Sequence, residues 1–275
     1  ILIVDNGSTD GTLTQNFPEK VTVIRNEKNL GTSGAVVAGF KYAISRNYDW
    51  IWVFDADTAP EKDALEKLVQ FYQDLSSEEK SKTRLIASLP IDAQTHQPYH
   101  GIIFDLNGSH HFHPSPQMEF YKFDGAMWTG CLYNLNAVQQ VGLPSLDYVL
   151  DWGEYEYGYR GKVSGLNAFM VLKSVVHHNI GGQPSLVFRT YRLGPLSIKL
   201  YDFPAIRCYY LVRNMFFFWF YEYRPRRWKI LFPKLFKMAC FTINFLLRPI
   251  SRKAEWTACI RGLWDGYTKN IQKRY

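Results

Sequence analysis

Cysteine is scarce and scattered in this chain. Cys131, Cys208, Cys240 and Cys259 are its only four, and none forms a C-x-x-C pair. That spacing suggests neither a zinc site nor a disulfide framework, and it fits a reducing compartment. Long apolar runs are missing too. No stretch reaches the ~18 uncharged apolar residues that a membrane span needs; the nearest, Met238 to Leu247, is bounded by Lys237 and Arg248. There are no internal repeats, no low-complexity tracts and no recognisable nucleic-acid-binding motif. What is present is a large apolar fraction, 47% of 275 residues, with 18 Tyr and 19 Phe. A substantial core is therefore available, along with aromatic-lined grooves or a surface that meets lipid. The formal net charge of +7 favours an anionic partner such as nucleotide phosphate or anionic lipid. Ile1 opens directly into a strand-like run with no Met before it, so the expectation is a fragment missing its true N-terminus.

Residues 1–90 alternate strand and helix signals. The short apolar runs ILIV (1–4) and VTVI (21–24) read as strands, and Ser33 to Ser45 carries Val36, Val37, Phe40 and Ile44 at helical spacing. The run WIWVF (50–54) reads as a buried strand. A helix from Glu61 to about Leu75 is expected to turn Leu65, Leu68, Val69 and Tyr72 inward. Ser76 to Lys82 reads as a solvated loop and RLIASLP (84–90) as another strand. This alternation argues βαβ units and a parallel sheet. GIIFDL and MEFYKF then flank a His-rich turn, as in an antiparallel hairpin. A helix is expected near Asn136–Val141, another over 150–161, and a strand over NAFMVLKSVV (167–176). After about 200 the chain reads as helical, aromatic and basic.

Five constellations carry possible chemistry. Asp55 and Asp57 end the WIWVF strand, at the carboxyl edge where ligands bind in open α/β sheets. Two carboxylates there repel one another unless a cation lies nearby; the alternative is a capped turn with Asp57 as N-cap. The stretch VDNGSTDG (4–11) is another strand-to-helix turn, in which Asp5 either holds a base or ribose or merely ends the strand. In NLGTSGAVVAG (29–39), Gly31 and Gly34 bring a backbone close to something, without the spacing of a dinucleotide fingerprint. In LDWGEYEYGYR (150–160), Glu154 at a helix start is either a general base or a first-turn acid complementing the helix dipole. After the last strand, His177 and His178 offer neutral imidazole to a divalent metal, or are satisfied strand-end histidines. The His110, His111 and His113 cluster is a weaker metal candidate, set in a turn away from the other motifs.

The order VDNGSTDGT, NLGTSG, a strand ending in DAD, a D-W-x-E-x-E-x-x-x-R helix, then H-x-I-G resembles the family 2 glycosyltransferases. The similarity covers roughly residues 1–182 and extends weakly to RCYYLVRN (207–214). It leans toward rhamnosyltransferase-like and galactofuranosyltransferase-like members. The resemblance implies an α/β fold of GT-A type, with a Rossmann-like mixed sheet flanked by helices over residues 1–200. A helical, basic, aromatic extension would follow over 201–275. It implies an inverting, metal-dependent hexosyltransferase of cell-surface polysaccharide synthesis. The donor would be a dTDP- or UDP-linked sugar of rhamnose or galactofuranose type, and the acceptor a glycan or a lipid-linked glycan. By the same resemblance, Asp5 holds the nucleotide base, and Asn29, Gly31, Asp55 and Asp57 bind the nucleotide sugar. Asp57 and His178, with His177 as the fallback, hold Mg2+ or Mn2+. Glu154 takes the place of the catalytic base, a position usually filled by Asp. Arg213, with Arg207, either reaches the diphosphate or is plain helix-surface charge.

Met215 to Tyr221 is strongly aromatic and is followed by Arg224, Arg226, Arg227, Lys229, Lys234 and Lys237. Aromatics beside basic residues suit a helix in the headgroup region of anionic lipid, which predicts peripheral contact at the cytoplasmic face of the cell membrane. The competing pattern is a core finished by Phe and Trp. The rival to catalysis is a non-catalytic nucleotide-sugar or glycan-binding module of the same fold.

Overall fold

A computed structural model describes residues 1–106, 108–179, 187–193, 196–201, 203–223 and 253–272. The chain forms two compact units. The first comprises residues 1–105, 109–149 and 153–180, and the second residues 106–108, 150–152 and 181–275.

The first unit opens with β1 (Leu2–Asp5), a short 3-10 turn (Thr12–Thr14), β2 (Thr22–Arg25) and α1 (Gly31–Ser45). β1 and β2 form a parallel pair in which Asp5 lies opposite Arg25. Next come β3 (Trp50–Val53), β4 (Thr58–Pro60), α2 (Ala64–Asp74), α3 (Ser77–Lys82) and β5 (Thr83–Asp92). β6 (Ile102–Asp105), β7 (Gly108–His111), β8 (Phe120–Phe123) and β9 (Cys131–Asn134) follow. α4 (Leu135–Val141), α5 (Gly153–Val163) and β10 (Asn167–His178) complete it. The central sheet runs β3-β9-β5-β10-β4, with β8 also on β10. Only β5 and β10 are parallel neighbours; the other pairs are antiparallel, so the sheet is mixed.

Side-chain alternation explains why the strands are apolar throughout. Ile51, Val53, Leu85, Ala87, Cys131, Tyr133, Ala168 and Met170 face a core that also takes Val36, Phe40 and Ala43 of α1. Trp50, Trp52, Ile86, Leu132 and Val171 face the other side, where Leu68, Phe71 and Tyr72 of α2 cover them. A strand covered on both faces reads as a continuous hydrophobic run.

Several local expectations are corrected. On α2 the inward residues are Ala64 and Leu68, with Phe71 and Tyr72 packed alongside, while Leu65 and Val69 are exposed. The sheet meets a narrower stripe than the apolar spacing suggested. Ser76 to Lys82 is helical: the Ser76 hydroxyl caps it by accepting from the Glu79 amide, and Glu78 pairs with Lys82 one turn on. MEFYKF does not return to GIIFDL. β6 pairs with β7, and β8 crosses to β10.

In the second unit, β11 (Val187–Leu193) and β12 (Leu196–Tyr201) form an antiparallel pair. α6 (Ala205–Phe217) runs into a π turn (Phe218–Glu222), and α7 (Lys253–Tyr267) packs on α6. Gly262 makes that packing close, since a Cβ there would lie 2.6 Å from the Tyr209 carbonyl. Phe216, Phe218 and Trp219 are buried, so these members of the aromatic run finish a core and do not present themselves to lipid. The basic residues Arg224 to Lys237 lie outside the described residues. Among the described residues no helix is long and apolar enough to cross a membrane.

Candidate functional site

The sheet register brings together residues that are distant in sequence. β10 lies antiparallel to β4 with His178 opposite Thr58, and parallel to β5 with His178 opposite Asp92. Asp55 and Asp57 occupy the turn between β3 and β4, so the end of β10 delivers His178 beside them. One ligand atom from each of Asp55, Asp57 and His178 lies within 4.8 Å of the other two. His178 Nδ1 is 3.3 Å from Asp57 Oδ1. His177, one residue earlier and on the other face, is 3.4 Å from Glu61 instead.

A line of hydroxyls holds this cluster. The Asp55 amide donates to Thr129 Oγ1 at 3.2 Å, and Thr129 Oγ1 donates to Thr58 Oγ1 at 2.8 Å. Thr58 Oγ1 in turn lies 2.7 Å from His178 Nδ1. The Asn179 amide closes the turn by donating to the Asp57 carbonyl at 2.9 Å. Thr58 is readable in sequence as the residue after DAD. Thr129 carries no local signal, because only the fold brings it across from the start of β9.

The electrostatics suit a cation. Burial pushes the Asp55 carboxyl above its ordinary pKa; nearby His178 opposes that shift, and the charge of Asp57 adds to it. Asp57 is exposed and His178 is buried. Two mutually repelling carboxylates and one imidazole form a donor set of the kind that hard and borderline divalent ions take.

Asp5 ends β1, with its Oδ1 accepting from the Ser8 amide at 3.1 Å and its Oδ2 3.3 Å from Arg25 Nε. Hydrogen bonding by Ser8 and the charge of Arg25 outweigh burial and hold its pKa below the ordinary value. Oδ2 is buried and accepts no hydrogen bond. Next to it, Asn6 ties the NLG loop to β1, a role the motif reading missed. Its Nδ2 donates to Asn29 Oδ1 at 3.1 Å and to the Gly31 carbonyl at 2.9 Å, while its Oδ1 accepts from the Leu30 amide at 3.1 Å. Asn29 Oδ1 also accepts from the Gly31 amide at 2.8 Å. The close approach expected at Gly31 is to protein: φ is +76°, and a Cβ would lie 1.7 Å from the Val149 carbonyl.

Glu154 lies in the first turn of α5, which begins at Gly153, and is half-buried. Gly153 lets this helix start near α1, because a Cβ there would lie 2.4 Å from Ser33 Oγ. Glu156, two residues on, is buried and ion-paired with Arg160. Burial pushes its pKa up against the pull of Arg160.

Arg213 is fully buried, and its Nε and one terminal nitrogen donate to Asn214 Oδ1 at 2.9 and 2.7 Å. Its guanidinium also lies over the rings of Tyr209 and Tyr210. It is therefore not helix-surface charge. Arg207 donates to both oxygens of Asp151 at 3.1 and 2.9 Å. Asp151 and Trp152 both have positive φ, at 57° and 70°, in a left-handed conformation that non-glycine residues rarely adopt. Asn214 Nδ2 stabilises the segment by donating to the carbonyls of Leu150 and Asp151. Within this unit Arg207 and Asn214 together clamp the strained backbone.

The mixed sheet flanked by helices is a GT-A fold. Residues 1–77 match the family model Glycosyl transferase family 2. The crystal structure of GalNAc-T7 with UDP, GalNAc and Mn2+ aligns at a TM-score of 0.52 and 18% identity, covering 65% of this chain and 37% of that one. TarS 1–349 of S. aureus, in complex with UDP, aligns at a TM-score of 0.44 and 12% identity over 98% of this chain and 82% of that one. The uncharacterized protein MJ0544 of Methanocaldococcus jannaschii is 30% identical over 112 residues, 38% of this chain and 49% of that protein. The chain thus spans about half the length of that curated relative.

Proposed function

We propose that the chain transfers a sugar from a nucleoside diphosphate to a hydroxyl acceptor, with inversion at the anomeric carbon. The observation that carries this reading is the convergence of Asp55, Asp57 and His178 at the ends of β3 and β10. The family match over residues 1–77 spans Asp5, Asn29, Asp55 and Asp57 and supports it.

In this reading Asp5, whose buried Oδ2 accepts no hydrogen bond, receives an N–H of the nucleotide base. Asn29 and Gly31 shape the wall of that subsite from the loop Asn6 holds. Asp55 accepts from the ribose hydroxyls. Asp57 and His178 would hold Mg2+ or Mn2+, which when bound supplies Lewis-acid neutralisation of the departing diphosphate. Thr58 fixes the His178 ring so that its position does not depend on the ligand. Glu154 takes the proton from the attacking acceptor hydroxyl as the new bond to carbon forms. The electron pair of the breaking C–O bond leaves with the diphosphate, and no covalent enzyme intermediate is needed. Arg213 is left out of the nucleotide set because it is fully buried and donates to Asn214.

The finer reading is a rhamnose- or galactofuranose-type donor, dTDP- or UDP-linked, and a glycan or lipid-linked acceptor used at the inner face of a membrane. The test is a panel of UDP- and dTDP-sugars with Mg2+ or Mn2+, scored for binding and for nucleoside diphosphate release, with and without EDTA. Metal-dependent binding and release are expected. Binding without turnover at any acceptor would favour a non-catalytic module, and failure to bind any sugar nucleotide would defeat both readings.

A further inference from the structure

Beside the acidic cluster the first unit holds a cavity of about 210 Å³. Tyr99, His100, His111, His113, Met127 and Tyr155 are among its lining residues. Its volume is below the roughly 300–1,000 Å³ of a drug-sized pocket, which leaves room for one ring and not for a chain of them. Its position links the two halves of the proposed chemistry. The Tyr99 ring meets the His178 ring edge-on at 6.5 Å, and Tyr155 directly follows Glu154 in α5. Tyr99 is itself fixed, since its hydroxyl donates to Asp92 Oδ2 at 2.7 Å.

The lining chemistry is specific. Two phenol rings offer apolar faces suited to the C–H side of a pyranose or furanose. Three imidazoles offer donors and acceptors, as a ring bearing hydroxyls requires. His100 Nδ1 is buried and has no hydrogen-bond partner. Burial, with His113 and His111 beside it, holds the His100 imidazole below its ordinary pKa and so favours the neutral form. The described lining contains no Lys or Arg to match an anion.

We propose that this cavity seats an uncharged sugar ring of the acceptor, with His100 and His113 hydrogen-bonding its hydroxyls between Tyr99 and Tyr155. That the ring belongs to the acceptor rests on the transferase reading; that the cavity takes a neutral sugar does not.

Saturation-transfer NMR of the full chain with methyl mannoside, methyl galactoside and methyl rhamnoside tests this, with methyl glucuronide as the acidic counterpart. At least one neutral glycoside should receive saturation at pH 7.5, and the glucuronide should not. His100→Phe, which fills the cavity, and His113→Ala, at an exposed position, should each weaken the neutral glycoside by about tenfold, as loss of one hydrogen bond implies. His113→Ala keeps the test decisive if His100→Phe fails to fold. No neutral glycoside bound, equal binding of the glucuronide, or unchanged affinity in folded variants would each overturn the proposal. Sugar-nucleotide binding is scored separately. Glycosides bound with no sugar nucleotide bound would support the cavity and sink the transferase reading, and the reverse would sink the cavity alone.

Discussion

Asp55, Asp57 and His178 in the first unit, and Arg207, Arg213 and Asp265 in the second, are two sets of charged or titratable groups with different kinds of partner. In the second unit each is answered from within: Arg207 by Asp151, Arg213 by Asn214 and two tyrosine faces, and Asp265 by the Tyr209 hydroxyl at 2.8 Å. In the first unit two carboxylates are brought together, and the burial of one raises its pKa. Repulsion of that kind is what a bound cation would relieve, and the raised pKa of Asp55 beside it supports the site proposed above. The second unit's charges are those of a structural core.

The largest expected effect lies at Glu154. Glu154→Gln keeps size and hydrogen bonding but cannot accept a proton, so transfer should fall by about 100- to 10,000-fold while sugar-nucleotide affinity stays. Glu156→Gln should slow transfer far less, because Glu156 is buried against Arg160. Steady-state rates for the two variants, with donor binding measured alongside, check this. If Glu156 proves the essential acid, the assignment of the base is wrong.

Next is the cluster itself. Asp57→Ala should remove the metal response and lower transfer by at least about 100-fold, on the scale of several kcal/mol of lost charge stabilisation. Asp57→Ala should also weaken metal-dependent donor binding more than Asp55→Ala, if Asp57 is the direct ligand. Activity that survives exhaustive chelation would show that the carboxylates meet for some other reason.

The opposite outcome is expected in the second unit. Arg213→Met leaves Asn214 Oδ1 without its donors and removes two cation–π contacts. Stability should fall by about 2–4 kcal/mol in chemical denaturation, with sugar-nucleotide affinity unchanged in the folded fraction. A folded variant that loses nucleotide affinity would restore Arg213 to the diphosphate.

Much of the first unit was legible because its apolar strands and helical spacing are local signals. The turn acids Asp5, Asp55 and Asp57 were visible as strand ends, and His178 as the end of the last strand. Other features depended on partners that periodicity cannot name. Leu65 and Val69 fit the helical stripe as well as Ala64 does, and only the sheet decides which are covered. β8 has a strand's alternation, but that β10 takes it, and not β6, is a tertiary choice. Thr129 joins the site from 71 residues beyond Thr58. The burial of Arg213 was not legible, because a helix cation looks the same in sequence whether it faces solvent or two buried tyrosines.

The smallest effect tests how firmly the edge of the site is held. Asp92 accepts from the amides of Gln94 and Thr95 and from the Tyr99 hydroxyl, and these bonds hold its pKa down to about 2. The unfolded value is about 3.9. A carboxyl whose folded pKa is depressed contributes stability that is present above the unfolded value and is lost as pH falls through the folded one. The Asp92 contribution should therefore fade between about pH 4 and about pH 2. Asp92→Asn keeps an acceptor but loses the charge, and it should cost about 1 kcal/mol at pH 7. Because Asp5 is shifted in the same direction, the wild-type slope alone does not isolate Asp92. The informative quantity is the difference between the two proteins in urea denaturation from pH 7 to pH 3. That difference should narrow as the pH falls. A constant gap would mean that the loss at Asp92 comes from packing around Tyr99 and not from its charge.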